Sequence, residues 1–545
     1  MKCKFWHLAA LALFAAAMAG CSTTVIEDEP EYLENKNDDA KEMSLTFKIM
    51  HNEYTRTDDN DNDAKISKLT LAFYKIDGNN YTYLYHLNAE ENASGDYSVD
   101  LDPDKETPNA VIAFANLRND ESADDYSETS TIEYLESDDG LIMSSARYFN
   151  TLSGTNEYVK YTDITIDHIL GKESVEIYLD RVAAKVNVTA SEANLEKLVG
   201  YNSNGNKHEF TLKLIGWDVF GTDNKSYLLK NCGDSYSSLI GLLGNNEVGS
   251  SSWVWNNTDA HSLSWAHSVN WNSSSDKFPA PGKESETSHT NHMKLSEIKN
   301  EYGTAALYHE TTRNANLFST PNALPSVVLI GEYSLNGQKA QTLYRQGNLI
   351  LTHDEFCEYI ATLNTKEKLL FYMKDGTTKT LFNAQKVRQE LEKYCSLNII
   401  SVSSLGENYM PNIVTIQIDD AFIIYPEVIC YNGENPTFTE SSFKELNETL
   451  LEKIGTWEIF EQGKCFFYFP IEHAGKQFDL NGEKTGSYGL VRNHRYNIEV
   501  KNISGIGHGV KNDAYVGAWP NQEFSTGVSY NVTVNEWTDV NQTIE

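Results

Sequence analysis

At 545 residues the chain is too long for one ordinary hydrophobic core, so two large domains are expected. A formal net charge of −34 repels phosphate backbones and excludes nucleic acid as an expected partner, while saying nothing about fold. Aromatic residues make up 11%, with 31 tyrosines against 12 prolines, a balance that favours a β-rich globular protein over a disordered one.

The first element in chain order is an export signal. Lys2 and Lys4 precede an apolar run at 5–17, and Met18-Ala19-Gly20-Cys21 has the form of a lipobox, with Met18 where Leu is usual. Cleavage before Cys21 leaves it as a diacylated first residue, so an exported lipoprotein is expected, tethered by the acidic residues 27–41. No internal run reaches the ~18 apolar residues of a membrane span.

Residues 43–56 come next. Met43, Leu45, Phe47 and Ile49 are apolar, and Ser44, Thr46 and Lys48 between them are polar. Strict period-two alternation predicts a strand with one buried face. Arg56, the first arginine of the chain, follows, and then the polar run 57–63. A strand bracketed by a lipid anchor and a basic cleavage site reads as removable. It occupies a groove until a protease cuts between Arg56 and Thr57, and a strand from another subunit then replaces it. Asp59, Asp61 and Asp63 have the early spacing of a calcium loop, but Ala64 and Thr70 stand where Gly and Glu are required. The run is therefore read as a solvated, protease-accessible loop, with no metal site and no cofactor expected.

Of seven cysteines, Cys3 leaves with the signal and Cys21 carries lipid, which leaves Cys232, Cys357, Cys395, Cys430 and Cys465. They form no C-x-x-C pair, so zinc and redox motifs are not supported; an odd count leaves at least one free thiol, and most are read as buried small hydrophobes.

Strands are predicted at 66–76, where Leu69, Leu71 and Phe73 share the inner face, and at 81–87. Residues 110–115 are wholly apolar and should be buried on both faces. Strands at 175–179 and 182–188 flank Asp180-Arg181. This meander indicates a β-sandwich. A second domain begins near Ala190, with strands at 210–220 and around Leu228. Residues 233–300 are rich in Ser, Asn, His and Trp, including Trp253, Trp255, Trp265 and Trp271, and Pro279-Ala280-Pro281 punctuates their end. A surface excursion pinned by its own tryptophans is preferred to a ligand platform. Strands resume at 327–333 and 341–344, and helices packing on a sheet are predicted at 352–363, 383–394 and 441–454. His473, Arg492 and His494 have no Ser, Cys or Asp at nucleophile or metal spacing, so no enzyme is expected; a strand whose His and Arg hold neighbouring backbone or carboxylates is the plainer reading. The last strand, 528–534, places Val528, Tyr530, Val532 and Val534 on one face; Trp537 falls out of phase, which requires a bulge or bend.

Five segments resemble a known family. Ala64-Lys65-Ile66-Ser67-Lys68-Leu69-Thr70-Leu71 is similar to the opening of mature fimbrillins from the Bacteroidales. Gly140-Leu141-Ile142-Met143-Ser144 and Asp180-Arg181-Val182-Ala183-Ala184-Lys185-Val186 resemble two further segments of their N-terminal domain. Residues 464–473 resemble an apolar strand ending in Pro-Ile-Arg-His, with Glu472 in place of the Arg. Tyr488-Gly489-Leu490-Val491-Arg492-Asn493-His494-Arg495-Tyr496 resembles the most specific motif of the family. The resemblance implies an all-β fold with minor helices, built as two transthyretin-like β-sandwich domains.

The expected divisions are a signal peptide at 1–20 and a propeptide with the removable strand at 21–56. An N-terminal domain at 57–190 and a C-terminal domain at 191–545 follow, the latter carrying the loop 233–300 and a donor strand at 528–545. By resemblance the chain is the stalk subunit of short, Mfa-type fimbriae that support adhesion and virulence. It reaches the outer membrane as a palmitate-bearing lipoprotein and is cut by an arginine-specific extracellular protease. It then polymerises head-to-tail with copies of itself, beside anchor and tip subunits, in a cell-surface fimbria. Three other readings stay open: an anchor subunit, a tip adhesin, and a surface glycan-binding lipoprotein using the Trp-rich loop.

Overall fold

The computed structural model describes residues 43–536 except for 51–62, 119–129, 151–156, 191–197, 232–253, 257–259, 264–265, 271–288, 313–323, 367–371, 382–394, 402–408, 419–428, 431–447, 474–477, 511–514, 518–527 and a few isolated or paired positions. Among the described residues the fold is all-β with minor helices. The predicted helix at 383–394, most of the Trp-rich loop, and Cys21, Arg56, Thr57 and Trp537 lie outside them.

Seven strands of the N-terminal part close into a ring. They are β1 (Met43–Met50), β2 (Leu69–Asp77), β3 (Asn80–Glu91), β4 (Tyr97–Leu101), β5 (Ala110–Ala115), β6 (Met143–Ser145) and β7 (Val175–Arg181). The order is β1-β4-β3-β2-β5-β6-β7, and β7 returns to β1. All ladders are antiparallel except β1–β7, where Phe47 pairs with Val175 and Met50 with Tyr178 in parallel. Alternation puts Leu45, Phe47, Leu69, Leu71, Phe73, Val99, Val111, Val175 and Ile177 into one core.

The sequence pattern of β2 predicts one buried face, but both are buried. Ala72 and Tyr74 on the outer face join Ile112, Phe114, Val182, Leu228 and Leu229 in a second cluster. Leu228 is thus a covering side chain. It lies beyond the two-residue strand Ser226–Tyr227, and its role depends on a contact that local periodicity does not encode.

From β7 the chain passes through Val182 into β8 (Ala183–Ala190). β8 lies between β10 (Ala305–His309) and the parallel β13 (His494–Ile503), whose other edge carries β14 (Val528–Glu536). A larger sheet carries, toward one end, the neighbouring strands β9 (Lys207–Phe220), β11 (Ser326–Leu335) and β12 (Lys464–Pro470). The two sheets share one core: Val186 and Val188 of β8 and Tyr496, Ile498 and Val500 of β13 meet Phe210, Leu212, Trp217, Leu329, Phe467 and Phe469. β9 keeps its face inward across a bulge. Phe210, Leu212 and Leu214 are buried, Ile215 is displaced outward, and Trp217 and Val219 resume burial in the opposite phase. The helix His353–Lys366 matches the prediction closely, and its Phe356 stacks on Tyr344 with centroids 4.1 Å apart. The strand expected at 341–344 forms at Leu343–Gln346, and residues 451–454 are helical.

A buried polar junction joins the two cores. Arg492 and Glu310 are both fully buried. Arg492 Nε and Nη2 each lie 3.0 Å from Glu310 Oε2, its backbone N–H donates to Oε1, and Nη1 and Nη2 donate to the carbonyls of Leu228 and Tyr227. A desolvated guanidinium is tolerated here because its donors meet a carboxylate and two carbonyls. Beside it, Asn493 adopts φ 57° and its backbone N–H donates to Ala183 O. Gly489, at φ +146°, has Thr311 O so near that an added Cβ would lie 3.1 Å from it, which explains a glycine before the buried Leu490.

Removing one partner of the buried pair should cost more than removing both. Glu310→Ala is expected to lower unfolding free energy by about 3–5 kcal/mol, whereas Arg492→Met with Glu310→Leu should recover much of that loss in denaturant melts. Stability should also depend on pH through buried histidines. Burial lowers His309 and His508 to about 4 and His494 well below the imidazole range. All three stay neutral when folded, so below about 6.5 the unfolded chain binds more protons. Their contribution is complete above that pH and is lost as pH falls toward 4, so the denaturant midpoint should drop across this window; a level or rising midpoint would contradict the assignment.

Candidate functional site: the β1 slot and the β14 edge

β1 is held on both edges. Five residue pairs join it to β4, from Met43–Leu101 to Phe47–Tyr97, and four join it to β7. Leu45 and Phe47 are fully buried, with Phe47 and Phe73 ring centroids 6.3 Å apart, and Met43 and Ile49 pack partly buried against the same core. Ser44 faces the other way and its hydroxyl donates to Val99 O at 3.4 Å. Taking β1 away would leave ladder groups of β4 and β7 without partners, above an apolar trough. β1 reaches the rest of the ring through residues 51–62 and Asp63.

Asp63 is a residue that sequence reasoning placed in a solvated loop. Its carboxylate pairs with Lys185, and its carbonyl accepts from Arg181 Nε at 2.9 Å. Its side chain is only 18% exposed, so it anchors the downstream end of the linker at the β7–β8 crossing. Nothing in the local pattern marks it, because both partners lie more than 100 residues away.

β14 differs from β1 in having one neighbour among the described residues. Nine pairs connect it to β13, with a bulge at Lys501 between Val500 and Asn502. Val528, Tyr530 and Val532 are partly buried on the larger core. Tyr530 stacks on Phe469 with centroids 4.0 Å apart and its hydroxyl donates to Pro470 O at 3.4 Å. Burial, with Glu472 and Tyr488 nearby, pushes its hydroxyl up to about 12. Val534 pairs with Tyr496 in the ladder. The strand ends sit on different elements: β1 lies in the ring and β14 on the sheet of the second core.

His473, Arg492 and His494 do come together, in a structural arrangement. His473 Nδ1 lies 2.9 Å from Tyr496 Oη, which in turn accepts the Val491 N–H at 2.8 Å. His494 Nδ1 donates to Arg492 O at 2.7 Å, and the two imidazoles meet edge-on at 5.2 Å. These groups hold the turn before β13 and open onto no described cleft. Among the described residues no group of three His, Cys, Asp or Glu side chains could hold a metal ion, and no helix is long and apolar enough to cross a membrane. Cys357 and Cys465 are buried free thiols.

Residues 458–543, which include β12, β13 and β14, match the family model of the major fimbrial subunit protein type IV, fimbrillin, C-terminal. No curated protein sequence matches the chain. Among solved structures, a proposed cell adhesion protein of Parabacteroides distasonis ATCC 8503 aligns over 91% of this chain and 100% of its own, at 14% identity and TM-score 0.34. Another, from Bacteroides eggerthii DSM 20697, aligns over 91% and 96%, at 9% identity and TM-score 0.32. A fimbrial assembly protein of Parabacteroides distasonis aligns over 54% of this chain and 99% of its own, at 12% identity and TM-score 0.23. Scores this low add nothing to the fold beyond the strand pairings themselves. The likeness to the fimbrillin family is carried by residues 458–543, the stretch that matches its C-terminal model.

Proposed function

We propose that the chain is a structural subunit of a cell-surface fimbria, exported as a lipoprotein on Cys21, cut between Arg56 and Thr57, and polymerised by strand exchange. The observation that carries this reading is the position of β1. It completes a closed ring as a central strand, with its inner face fully buried at Leu45 and Phe47, yet one linker joins it to everything downstream. A single cut in 51–62 turns it into a separate peptide.

The length of that linker supports the cleavage site. Met50 pairs with Tyr178, and Asp63 meets Arg181, so the two ends lie about three strand residues, roughly 10 Å, apart along β7. Twelve residues cover that gap, far more than the distance requires.

The energetics favour exchange over loss of the strand. Burying Leu45 and Phe47 is worth roughly 1.5–3 kcal/mol each, and an emptied slot exposes that surface to water. A replacement must repeat the period of β1, because a one-residue slip would turn its apolar set outward. Val528, Tyr530, Val532 and Val534 repeat it. Among the described residues of its own subunit β14 is paired on one edge; in the slot of a neighbour it would be paired on both. Release from β13 costs one ladder and the Tyr530–Phe469 stack, and insertion would restore two ladders. A contact that joins unlike surfaces of successive copies does not close, and so grows a filament. The division into two transthyretin-like domains, 57–190 and 191–545, belongs to the same proposal.

Two variants test the reading. Arg56→Ala should give acylated precursor with no SDS-resistant ladder, while the wild-type fimbrial protein should begin at Thr57 on N-terminal sequencing; normal fibres from the variant would refute the site. Deletion of 528–545 should leave processed monomers that form no long fibres on native gels and electron micrographs. Fibres of normal length would assign the donor strand elsewhere.

A further inference from the structure

The polar junction holds a cluster that the fimbrial reading does not use. Lys230 is 2% exposed and Asp180 6% exposed. Lys230 Nζ lies 3.1 Å from Asp180 Oδ2, and Asn493 Nδ2 donates to Asp180 Oδ1 at 3.1 Å. One buried carboxylate therefore touches both an amine and a carboxamide. The carbonyl side of that carboxamide is also held: Asn493 Oδ1 accepts from the backbone N–H of Arg181 and from its Nη1, both at 3.3 Å. The backbone is fixed on each side. Arg492 grips the carbonyls of Tyr227 and Leu228 just before Lys230, and the Asn493 N–H is bound to Ala183 O.

We infer that Lys230 and Asn493 form an intramolecular isopeptide bond, with Asp180 as the proton shuttle. Asp180 takes a proton from the Lys230 ammonium, and the neutral Nζ attacks Asn493 Cγ. Negative charge collects on Oδ1, where the Arg181 N–H and guanidinium donate. Collapse breaks the Cγ–Nδ2 bond; Asp180 returns its proton to the departing nitrogen and then takes the proton that the attacking Nζ sheds, so the proton of the lysine ammonium ends on Asp180. Lysine amine and asparagine amide become one secondary amide and one ammonia, with no oxidant or cofactor. Burial of Lys230 and Asp180 favours the step, since it keeps water away from the attacking amine as a competing nucleophile. The bond would tie the segment that covers the ring to the turn that opens β13, joining the two cores covalently. It stands independently of strand exchange.

Mass spectrometry of the full chain, unfolded after purification, tests this directly. The expected result is a mass lower by one ammonia than its sequence requires and a branched tryptic peptide joining Lys230 to Asn493. Lys230→Arg keeps a cation against Asp180 without a primary amine, and Asp180→Asn removes the shuttle while keeping the shape; both should show the full sequence mass. A wild-type chain of full sequence mass that trypsin cleaves after Lys230 would overturn the inference. A branched peptide that has lost water and joins Lys230 to Asp180 would overturn the assignment of Asn493 as electrophile.

Discussion

Every strand in a closed sheet must pair on both edges, and in this protein that requirement falls on β1. The ring β1-β4-β3-β2-β5-β6-β7 is continuous only because Met43–Met50 bridges β4 and β7. β1 comes first in the chain, but its partners lie at 97–101 and 175–178, so the ring cannot close until some 130 later residues have folded around it. Its parallel pairing to β7 is an exception among the ring's ladders and follows from the same entry point. Leu45 and Phe47 then supply the part of the core that β4 and β7 would otherwise leave open to water.

The second core meets the ring where β7 passes into β8. β7 becomes β8 with only Val182 between them, and that residue is buried in the cluster that Leu228 and Leu229 complete. Around this crossing the polar groups are organised in two layers. Glu310 and Arg492 form one ion pair, and Asp180, Lys230, Arg181 and Asn493 form a second set of mutual contacts. Asp63 closes the group from the linker side through Lys185 and Arg181. The linker that follows β1 therefore ends where the two cores meet, so the proposed cleavage upstream of Asp63 would leave the crossing itself intact.

β14 presents the opposite situation to β1. It is long, alternating and apolar on one face, yet it closes nothing: its pairing with β13 leaves its other edge without a strand among the described residues. An edge strand with a buried face and an unpaired ladder is a surface that sheet proteins ordinarily cover or blunt. The proposed exchange gives that exposed edge a destination and the β1 slot a replacement of matching period.

Much of the fold was legible in the chain. Period-two alternation at 43–49 and 528–534 and the apolar run 110–115 identified strands, because side-chain direction along a strand is a local property. The helix at 353–366 showed through the spacing of its apolar residues. The residues flanking Gly489 and Asn493 were recognisable as a motif, although their purpose was not. What only the tertiary structure decided depends on partners far apart in sequence. That β1 sits between β4 and β7, that the outer face of β2 is covered by Leu228, and that Asp63 anchors the linker are all facts about contacts across dozens to hundreds of residues. Arg492 was legible as a side chain that holds neighbouring backbone or carboxylates, but not which ones. Its burial against Glu310, 182 positions away, turned it into the fixed point of the junction, because a desolvated charge can exist only where the fold brings a countercharge to it.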